Sequence, residues 1–337
     1  MTAGGHSQED PGAIAPRRRG RLPLRRLVVA IGLLLAVGYG GASAYVYDQL
    51  TRITENCSGG RSEPTSFTVN GVDTSPYRMP PAVDVRFPAR AEPEISIAAS
   101  WQPAPTGLDA PTVILTHGLG GCRHGANDLL AAGMLHRHGI AVLMIDLRDH
   151  GDSTKEDGRF AGGTEEYRDV LGAWDWLRAQ GVPEGRIGLL GFSLGAATTM
   201  IAMGQEPRVA AIWADSSYGD IGSAIRDELS RNGFPTFLEL GGALAGRFIS
   251  GDDIKVHSPL ETTTRLDGRP IFLTHGLLDE RISVRYVYEL AASVAAHGQV
   301  AGLWVVPDAG HTEALRLQPS EYERRMREFF LGALGRP

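Results

Sequence analysis

A serine flanked by glycines is the residue best suited to nucleophilic chemistry in this sequence. It is Ser193, in the GFSLG stretch at 191–195. The apolar run 187–190 predicts a buried strand before it, and the small residues after it predict a helix. A serine at such a strand-to-helix turn is held exposed on a strained elbow, with glycines that let neighbouring chains approach. In a chain with 43 glycines the motif could also arise by chance. Whether it marks a catalytic serine therefore depends on whether the sequence also supplies a base and an acid.

The partners are an acid and a base that follow later strands. A serine hydroxyl needs a base within hydrogen-bond reach, and the base needs an acid to orient it. Asp279 and His311 each follow a predicted strand, and ligands of open parallel sheets bind beyond the carboxyl ends of the strands. We therefore predict a triad of Ser193, Asp279 and His311. Asp215, which also follows a strand, remains an alternative acid; Glu280 ranks below its neighbour Asp279.

A glycine-rich loop follows an earlier predicted strand and could stabilise an oxyanion. The loop is HGLGG at 117–121, directly after the strand 112–116. Acyl transfer needs two hydrogen-bond donors directed at the oxyanion. The predicted pair consists of the backbone N–H groups of Leu119 and of Leu194, the residue after the nucleophile.

In this order the motifs resemble those of the α/β-hydrolases, over residues 82–334. The resemblance rests on HGLGG at 117–121, DLRDHGDS at 146–153, GFSLG at 191–195, and the HG-x-x-D and GH signatures that contain Asp279 and His311. It implies a serine hydrolase of the esterase or peptidase-like branch, which needs no cofactor. It also implies structural roles for His117, His150 and His275.

Alternating strand-like and helix-like segments predict an α/β fold with a mostly parallel central sheet and helices on both faces. Strands are predicted at 83–87, 95–100, 112–116, 141–145, 186–190, 209–213, 270–274 and 302–306. Helices are predicted at 126–136, 164–178, 194–203, 284–296 and 320–334. The insertion at about 217–265 has helical apolar spacing at 221–230 and 237–248, and we interpret it as a small helical cap.

The N-terminal region predicts a membrane anchor. Residues 1–26 form a basic cytoplasmic tail with six arginines, and the uncharged stretch 27–47 is long enough to span a bilayer. The positive charges should remain in the cytoplasm, which places the linker 48–81 and the hydrolase domain 82–335 outside. The alternative is that the N-terminal region is a signal peptide that is cleaved near Ala44, which would make the protein secreted.

The net charge and the cysteine content argue against a nucleic-acid-binding protein and against a metalloprotein. The tail has a net charge of about +4, which leaves about −10 on the rest of the chain. An acidic body argues against a nucleic-acid partner. Cys57 and Cys122 are the only cysteines. We expect them to be unpaired, with a disulfide between them as the alternative. We expect no metal site, because no ligand cluster has a recognised spacing.

These observations predict a membrane-anchored, extracytoplasmic serine hydrolase. Its substrate would be a small-molecule or lipid-like carboxylic ester or thioester, cleaved through an acyl-enzyme. A peptidase or an acyltransferase could use the same triad. A non-catalytic binding protein with the α/β-hydrolase fold is the alternative outside enzymes.

Overall fold

The computed structural model describes residues 1–2, 24–251, 253–297 and 299–335. Most of the predicted cytoplasmic tail, including Arg17, Arg18, Arg19 and Arg21, lies outside these residues. The predicted α/β-hydrolase fold is confirmed: a central sheet carries helices on both faces, and a helical cap covers one end.

Eight strands form one sheet in the order β1-β2-β4-β3-β5-β6-β7-β8. Their bounds are β1 Val83–Ala89, β2 Glu92–Gln102, β3 Thr112–Thr116, β4 Ala141–Ile145, β5 Ile187–Phe192, β6 Ala211–Asp215, β7 Pro270–Gly276 and β8 Gln299–Val306. β1 pairs with β2 and β2 with β4 antiparallel, whereas β3 to β8 pair in parallel. The carboxyl ends of the parallel strands therefore meet at one edge.

The described residues form ten α-helices. They are α1 Leu24–Thr51, α2 Ala126–His136, α3 Tyr167–Gln180, α4 Leu194–Gln205, α5 Ile221–Arg231, α6 Leu238–Ile249, α7 Pro259–Thr263, α8 Arg285–His297, α9 Ala314–Leu317 and α10 Pro319–Leu334. α5 and α6 form the predicted cap. α7 and α9 are short helices that the sequence analysis did not predict.

The core lies on both faces of the sheet because successive strand residues point to opposite faces. On β3, Ile114 packs into the cluster beneath α3, α4 and α8, while Val113 and Leu115 pack against α2 and α10. All five residues of β3 are buried. A parallel strand covered on both sides therefore appears in the sequence as a continuous apolar run.

The N-terminal helix α1 has two different parts. Residues 24–42 are exposed along their whole length, whereas Ser43, Val46, Tyr47 and Thr51 are buried against the rest of the protein. Among the described residues, α1 is the one helix long and apolar enough to cross a membrane, by length and composition. Such a helix is compatible with a membrane anchor or a signal sequence.

The segment 48–81, interpreted above as a linker, packs closely on the domain. Phe67, Val69, Tyr77 and Met79 are buried in the core cluster that contains α2. The expectation of unpaired cysteines is wrong, because Cys57 and Cys122 form a disulfide with their Cα atoms 4.8 Å apart. Packing of the segment on the 117–125 loop brings the two together, and the Ser58 N–H donates to the carbonyl of Gly120 at 2.8 Å.

Candidate active site

The elbow at Ser193 has the geometry that its sequence predicts. Ser193 adopts φ 54° and ψ −117° between β5 and α4, a conformation that is rare for a residue with a side chain. A Cβ atom at Gly191 would lie 2.3 Å from the carbonyl oxygen of Gly195, and one at Gly195 would lie 2.3 Å from that of Thr116. Both positions therefore require glycine, and the turn holds the Ser193 side chain at the sheet edge.

His311 and Asp279 meet Ser193 at this edge. His311 follows β8, and its Nε2 lies 2.8 Å from the Oγ of Ser193. The Nδ1 of His311 lies 2.7 Å from Oδ2 of Asp279, which follows β7. The three residues predicted from the sequence thus form one continuous hydrogen-bonded chain, with His311 in the middle.

Asp279 is held in place on both carboxylate oxygens. Its Oδ1 accepts the N–H groups of Arg281 and Ile282 at 2.9 and 2.8 Å, and its Oδ2 also lies 3.2 Å from Nε2 of His275. Burial opposes ionisation of this carboxyl group. The hydrogen bonds from His275 and His311 outweigh burial and hold the pKa of Asp279 below its usual range. The group is therefore an anion that can orient and stabilise an imidazolium.

Asp215, the alternative acid, has other partners. Its Oδ1 accepts the Ser216 hydroxyl at 2.9 Å, and its Oδ2 accepts the Tyr322 hydroxyl at 2.9 Å. Burial raises the pKa of Asp215 to about 6, against these two hydrogen bonds. The Ser216 Oγ in turn accepts the N–H of Thr312 at 3.2 Å. Asp215 thus supports the loop that carries the histidine without contacting the imidazole.

The predicted oxyanion donors flank Ser193. An added Cβ atom at Gly118 would lie 3.3 Å from the Cβ of Ser193, so the 117–121 loop passes directly over Ser193. Leu194 is the first residue of α4, where helix N–H groups lack intrahelical acceptors. Within the described residues, neither the Leu119 N–H nor the Leu194 N–H has a hydrogen-bond acceptor. Both donors are available to an oxyanion.

A buried ion pair that the sequence analysis missed lies directly after the 117–121 loop. The Arg123 guanidinium pairs with the carboxylate of Asp146, which also accepts the Arg123 N–H at 2.7 Å and the Asp152 N–H at 2.8 Å. Asp146 is fully buried and Arg123 is 5% exposed. The pair joins the loop after β3 to the 146–153 segment, which the sequence analysis interpreted as structural.

The other histidines of the motifs bond locally. His117 lies 2.7 Å from its neighbouring carbonyl at Gly118 through Nδ1 and accepts the Leu147 N–H through Nε2. His150 lies 2.9 Å from the carbonyl of Arg148. Burial lowers the pKa of His117, and lowers that of His150 to about 3. Both are therefore neutral, which fits the structural roles implied by the resemblance.

Two cavities, each of about 270 Å³, meet at Ser193. The first also contacts His311 and is lined by small and polar groups, including Ser58, Gly125, Asn127 and Asp128. Burial raises the pKa of Asp128 to about 8, and its Oδ1 has no hydrogen-bond partner. The second cavity is lined by apolar side chains of the cap and neighbouring loops, and also by polar and charged side chains. The apolar ones are Leu50, Leu119, Phe160, Leu194, Ile221, Ala224, Ile225 and Ile282, and the polar and charged ones include Gln49, Arg52, Thr54, Glu228 and Arg281.

The wall of the second cavity was not predicted. Gln49, Leu50 and Arg52 come from the end of α1 and the residue after it, more than 140 residues before Ser193 in the chain. Nothing in their local sequence indicates this contact. The cap face that opposes them, with Ile221, Ala224 and Ile225, could be found from its helical spacing. Within the described ranges, no group of three or more His, Cys, Asp or Glu side chains could hold a metal ion.

Comparison with known proteins identifies the family. Residues 130–336 match the model of the prolyl oligopeptidase family, which is more than half of the chain. The chain belongs to the prolyl oligopeptidase family. This prolyl oligopeptidase match contains Ser193, Asp279 and His311, but it begins after the 117–121 loop and α1. Together with the fold, membership shows that the protein is a hydrolase.

Relatives by sequence and by structure extend the comparison. An uncharacterized 31.7 kDa Escherichia coli protein of the traX-finO intergenic region is 29% identical over 145 residues, 42% of this chain and 49% of that protein. The chain therefore spans about half the length of the curated relatives it matches. A Pyrococcus furiosus esterase superposes on 80% of this chain and 99% of its own, with a TM-score of 0.61 and 23% identity. A Pyrococcus horikoshii acylaminoacyl peptidase superposes on 76% of this chain and 42% of its own, with a TM-score of 0.55 and 18% identity.

Proposed function

We propose that this protein is a serine hydrolase that cleaves a carboxylic ester or thioester through an acyl-enzyme. One observation carries the proposal: His311 lies within hydrogen-bond distance of both Ser193 Oγ and Asp279 Oδ2. Such an arrangement activates a hydroxyl group, because the base accepts its proton while the acid fixes the tautomer of the base. Neither a metal nor an organic cofactor is needed for this chemistry.

The reaction proceeds in two halves. In the first, Ser193 Oγ attacks the acyl carbonyl carbon, and its proton passes to Nε2 of His311. The negative charge that develops on the carbonyl oxygen is received by the N–H groups of Leu119 and Leu194. Collapse of this intermediate breaks the ester bond, and His311 returns the proton to the leaving alcohol or thiol. In the second half, a water molecule repeats the sequence and releases the acid.

The cavities favour an ester of an apolar acid. Leu50, Ile221 and Ile225 give the second cavity an apolar side that suits an acyl chain, and the cavity beside His311 suits the leaving group. The esterase neighbour superposes over nearly its whole length, while the acylaminoacyl peptidase matches over less than half of its own. A peptidase is the second candidate, and membership of the prolyl oligopeptidase family is the observation that favours it.

We infer that the enzyme is held in the membrane by α1, as a single-pass protein with its catalytic domain outside the cytoplasm. The arginines before residue 27 support this orientation. The disulfide Cys57–Cys122 also supports it, because such bonds persist in oxidising compartments. Cleavage near Ala44 would remove Ser43 from its buried position against the cap, which favours the uncleaved anchor.

A fluorophosphonate probe tests the serine chemistry directly. We expect covalent labelling of the folded protein, loss of labelling in Ser193→Ala, and full labelling in Ser320→Ala, an exposed serine of α10 used as a matched control. A folded protein that is not labelled would instead support a non-catalytic binding protein.

A substrate panel then distinguishes the enzyme classes. We expect p-nitrophenyl esters of medium or long acyl chains to be cleaved faster than aminoacyl p-nitroanilides. The reverse order would identify a peptidase. Acyl transfer to added hydroxylamine or an alcohol in preference to water would identify an acyltransferase.

A further inference from the structure

Helix α6 of the cap and the residue before it carry an apolar stripe that is largely exposed. Phe237, Leu240, Leu244 and Phe248 recur at intervals of three or four residues, so they lie on one face of the helix. Their exposed fractions are 66%, 58%, 49% and 87%. Contiguous exposed apolar groups of this kind mark an interaction surface.

The opposite face of α6 is made of glycines and packs on α1. An added Cβ atom at Gly241 would lie 2.0 Å from the Oγ of Ser43, and one at Gly246 would lie 2.8 Å from the ring of Tyr47. Small residues allow two helix backbones to approach closely, and they are used in this way between membrane helices. Val46 adds an apolar contact with Leu238 at the same interface. The stripe is therefore fixed in position relative to α1.

The contacts also determine the level of α6 along α1. The Tyr39 hydroxyl donates to the carbonyl of Phe237 at 3.2 Å, and the Tyr47 hydroxyl lies 2.5 Å from the Oγ of Ser250. Both helices therefore run in the same direction, with α6 beside the second half of the predicted span 27–47. At 1.5 Å per residue, about 20 residues cross the hydrocarbon core. The start of the stripe then lies at the depth of the outer leaflet.

The end of α1 leads from this level to the active site. Leu50 lies one turn beyond Val46 and lines the second cavity, where Ile221 and Ile225 of α5 form an apolar side with it. The same cavity reaches Ser193. An acyl chain leaving the outer leaflet beside α1 would therefore enter a cavity whose far end is the nucleophile. The ester groups of membrane lipids lie at the border between hydrocarbon and headgroups, the level at which α1 ends.

We propose that Phe237, Leu240 and Leu244 insert the cap into the outer leaflet, and that the substrate is an acyl ester of a membrane lipid, which enters the cavity directly from the bilayer. This inference rests on the proposed hydrolase function and names its substrate class. Membrane lipid covers the stripe, rather than a second copy of the chain, because Phe237 at the start of the stripe stacks on Tyr39 of the exposed α1 section 24–42, with ring centroids 6.1 Å apart.

The test compares one enzyme on two substrates. Full-length protein is reconstituted into phosphatidylcholine vesicles that carry a fluorogenic long-chain ester lipid, and is also assayed on soluble p-nitrophenyl butyrate. The variant is Phe237→Ser/Leu240→Ser/Leu244→Ser. The matched control, Val83→Ser/Leu108→Ser/Leu317→Ser, removes three exposed apolar side chains from other parts of the surface. We expect the vesicle-to-soluble activity ratio to fall roughly tenfold or more in the α6 variant and to stay unchanged in the control.

The outcomes separate this inference from the function on which it rests. If the unsubstituted protein cleaves neither substrate, the proposed function fails. If it cleaves the soluble ester and the α6 variant keeps the same activity ratio, the membrane inference is overturned. A photo-crosslinker at position 244, Leu244→p-benzoylphenylalanine, gives a second readout. We expect crosslinks to lipid, and crosslinks to another copy of the chain would overturn the inference.

Discussion

The sheet edge that carries the triad and the cap that covers it are built in different ways. At the edge, Ser193, Asp279 and His311 follow three strands of one sheet, and hydrogen bonds join their side chains in one chain. In the cap, α6 packs through glycines on a helix from the opposite end of the chain and leaves its apolar face uncovered.

The difference separates reactivity from substrate selection. A rigid parallel sheet fixes the reacting atoms to within the short distances that proton transfer needs. The cavity beside them is completed by α1, an element that the sheet does not position. Changes at the edge should therefore alter the rate on every substrate, whereas changes at the cap should alter the preference among substrates.

The largest effect should follow Asp279→Asn. An amide cannot hold the imidazolium that forms when His311 accepts the serine proton, and it favours the wrong tautomer of the neutral ring. We expect kcat on a soluble ester to fall roughly 10³- to 10⁴-fold, with the same loss on a lipid ester. Steady-state kinetics on both substrates measure the change.

Two matched variants show whether the effect belongs to the triad. Glu280→Gln changes an exposed neighbour and should leave kcat within about twofold, since surface changes away from special contacts have small effects. Asp215→Asn, the alternative acid, should not reproduce the loss of Asp279→Asn. A full rate in Asp279→Asn together with a large loss in Asp215→Asn would reverse the assignment of the acid.

The same contrast explains what the sequence could predict. The bounds predicted for β3, β4 and α2 agree with the structure residue by residue, because buried strands and short helices have strong local patterns. Asp279 and His311 could be predicted because parallel strands end at a common edge. The features that could not be predicted from the sequence depend on contacts between distant segments of the chain. Leu50 in the cavity wall is one example, and the pairing of Cys57 with Cys122 is another.

A second prediction concerns the disulfide that joins the 48–81 segment to the triad edge. Cys57→Ser/Cys122→Ser opens a covalent loop across 65 positions of sequence. We expect the free energy of unfolding to fall by about 2–5 kcal/mol, because the unfolded chain regains the entropy that the crosslink removes. Chemical denaturation of the oxidised protein in detergent measures the difference. Reductant should lower the free energy of unfolding of the unsubstituted protein to that of the variant and leave the variant's value unchanged. An equal fall in both proteins would contradict the prediction.

The smallest effect should come from Asp128, which contrasts with Asp279 at the other side of the same nucleophile. Hydrogen bonds keep Asp279 ionised, whereas burial raises the pKa of Asp128 to about 8. The folded protein thus holds a proton on Asp128 that the unfolded chain releases near pH 4, so folding stability is lost as the pH rises towards 8.

Asp128→Asn removes this titration. Denaturation curves at pH 5, 6.5, 8 and 9 measure the free energy of unfolding of both proteins. Between pH 6.5 and 8, this free energy should rise in the variant by roughly 1–2 kcal/mol relative to the unsubstituted protein, with little further change above pH 8. Parallel pH profiles for the two proteins would show that Asp128 is paired and ionised in the folded state, and that both sides of Ser193 then hold anions.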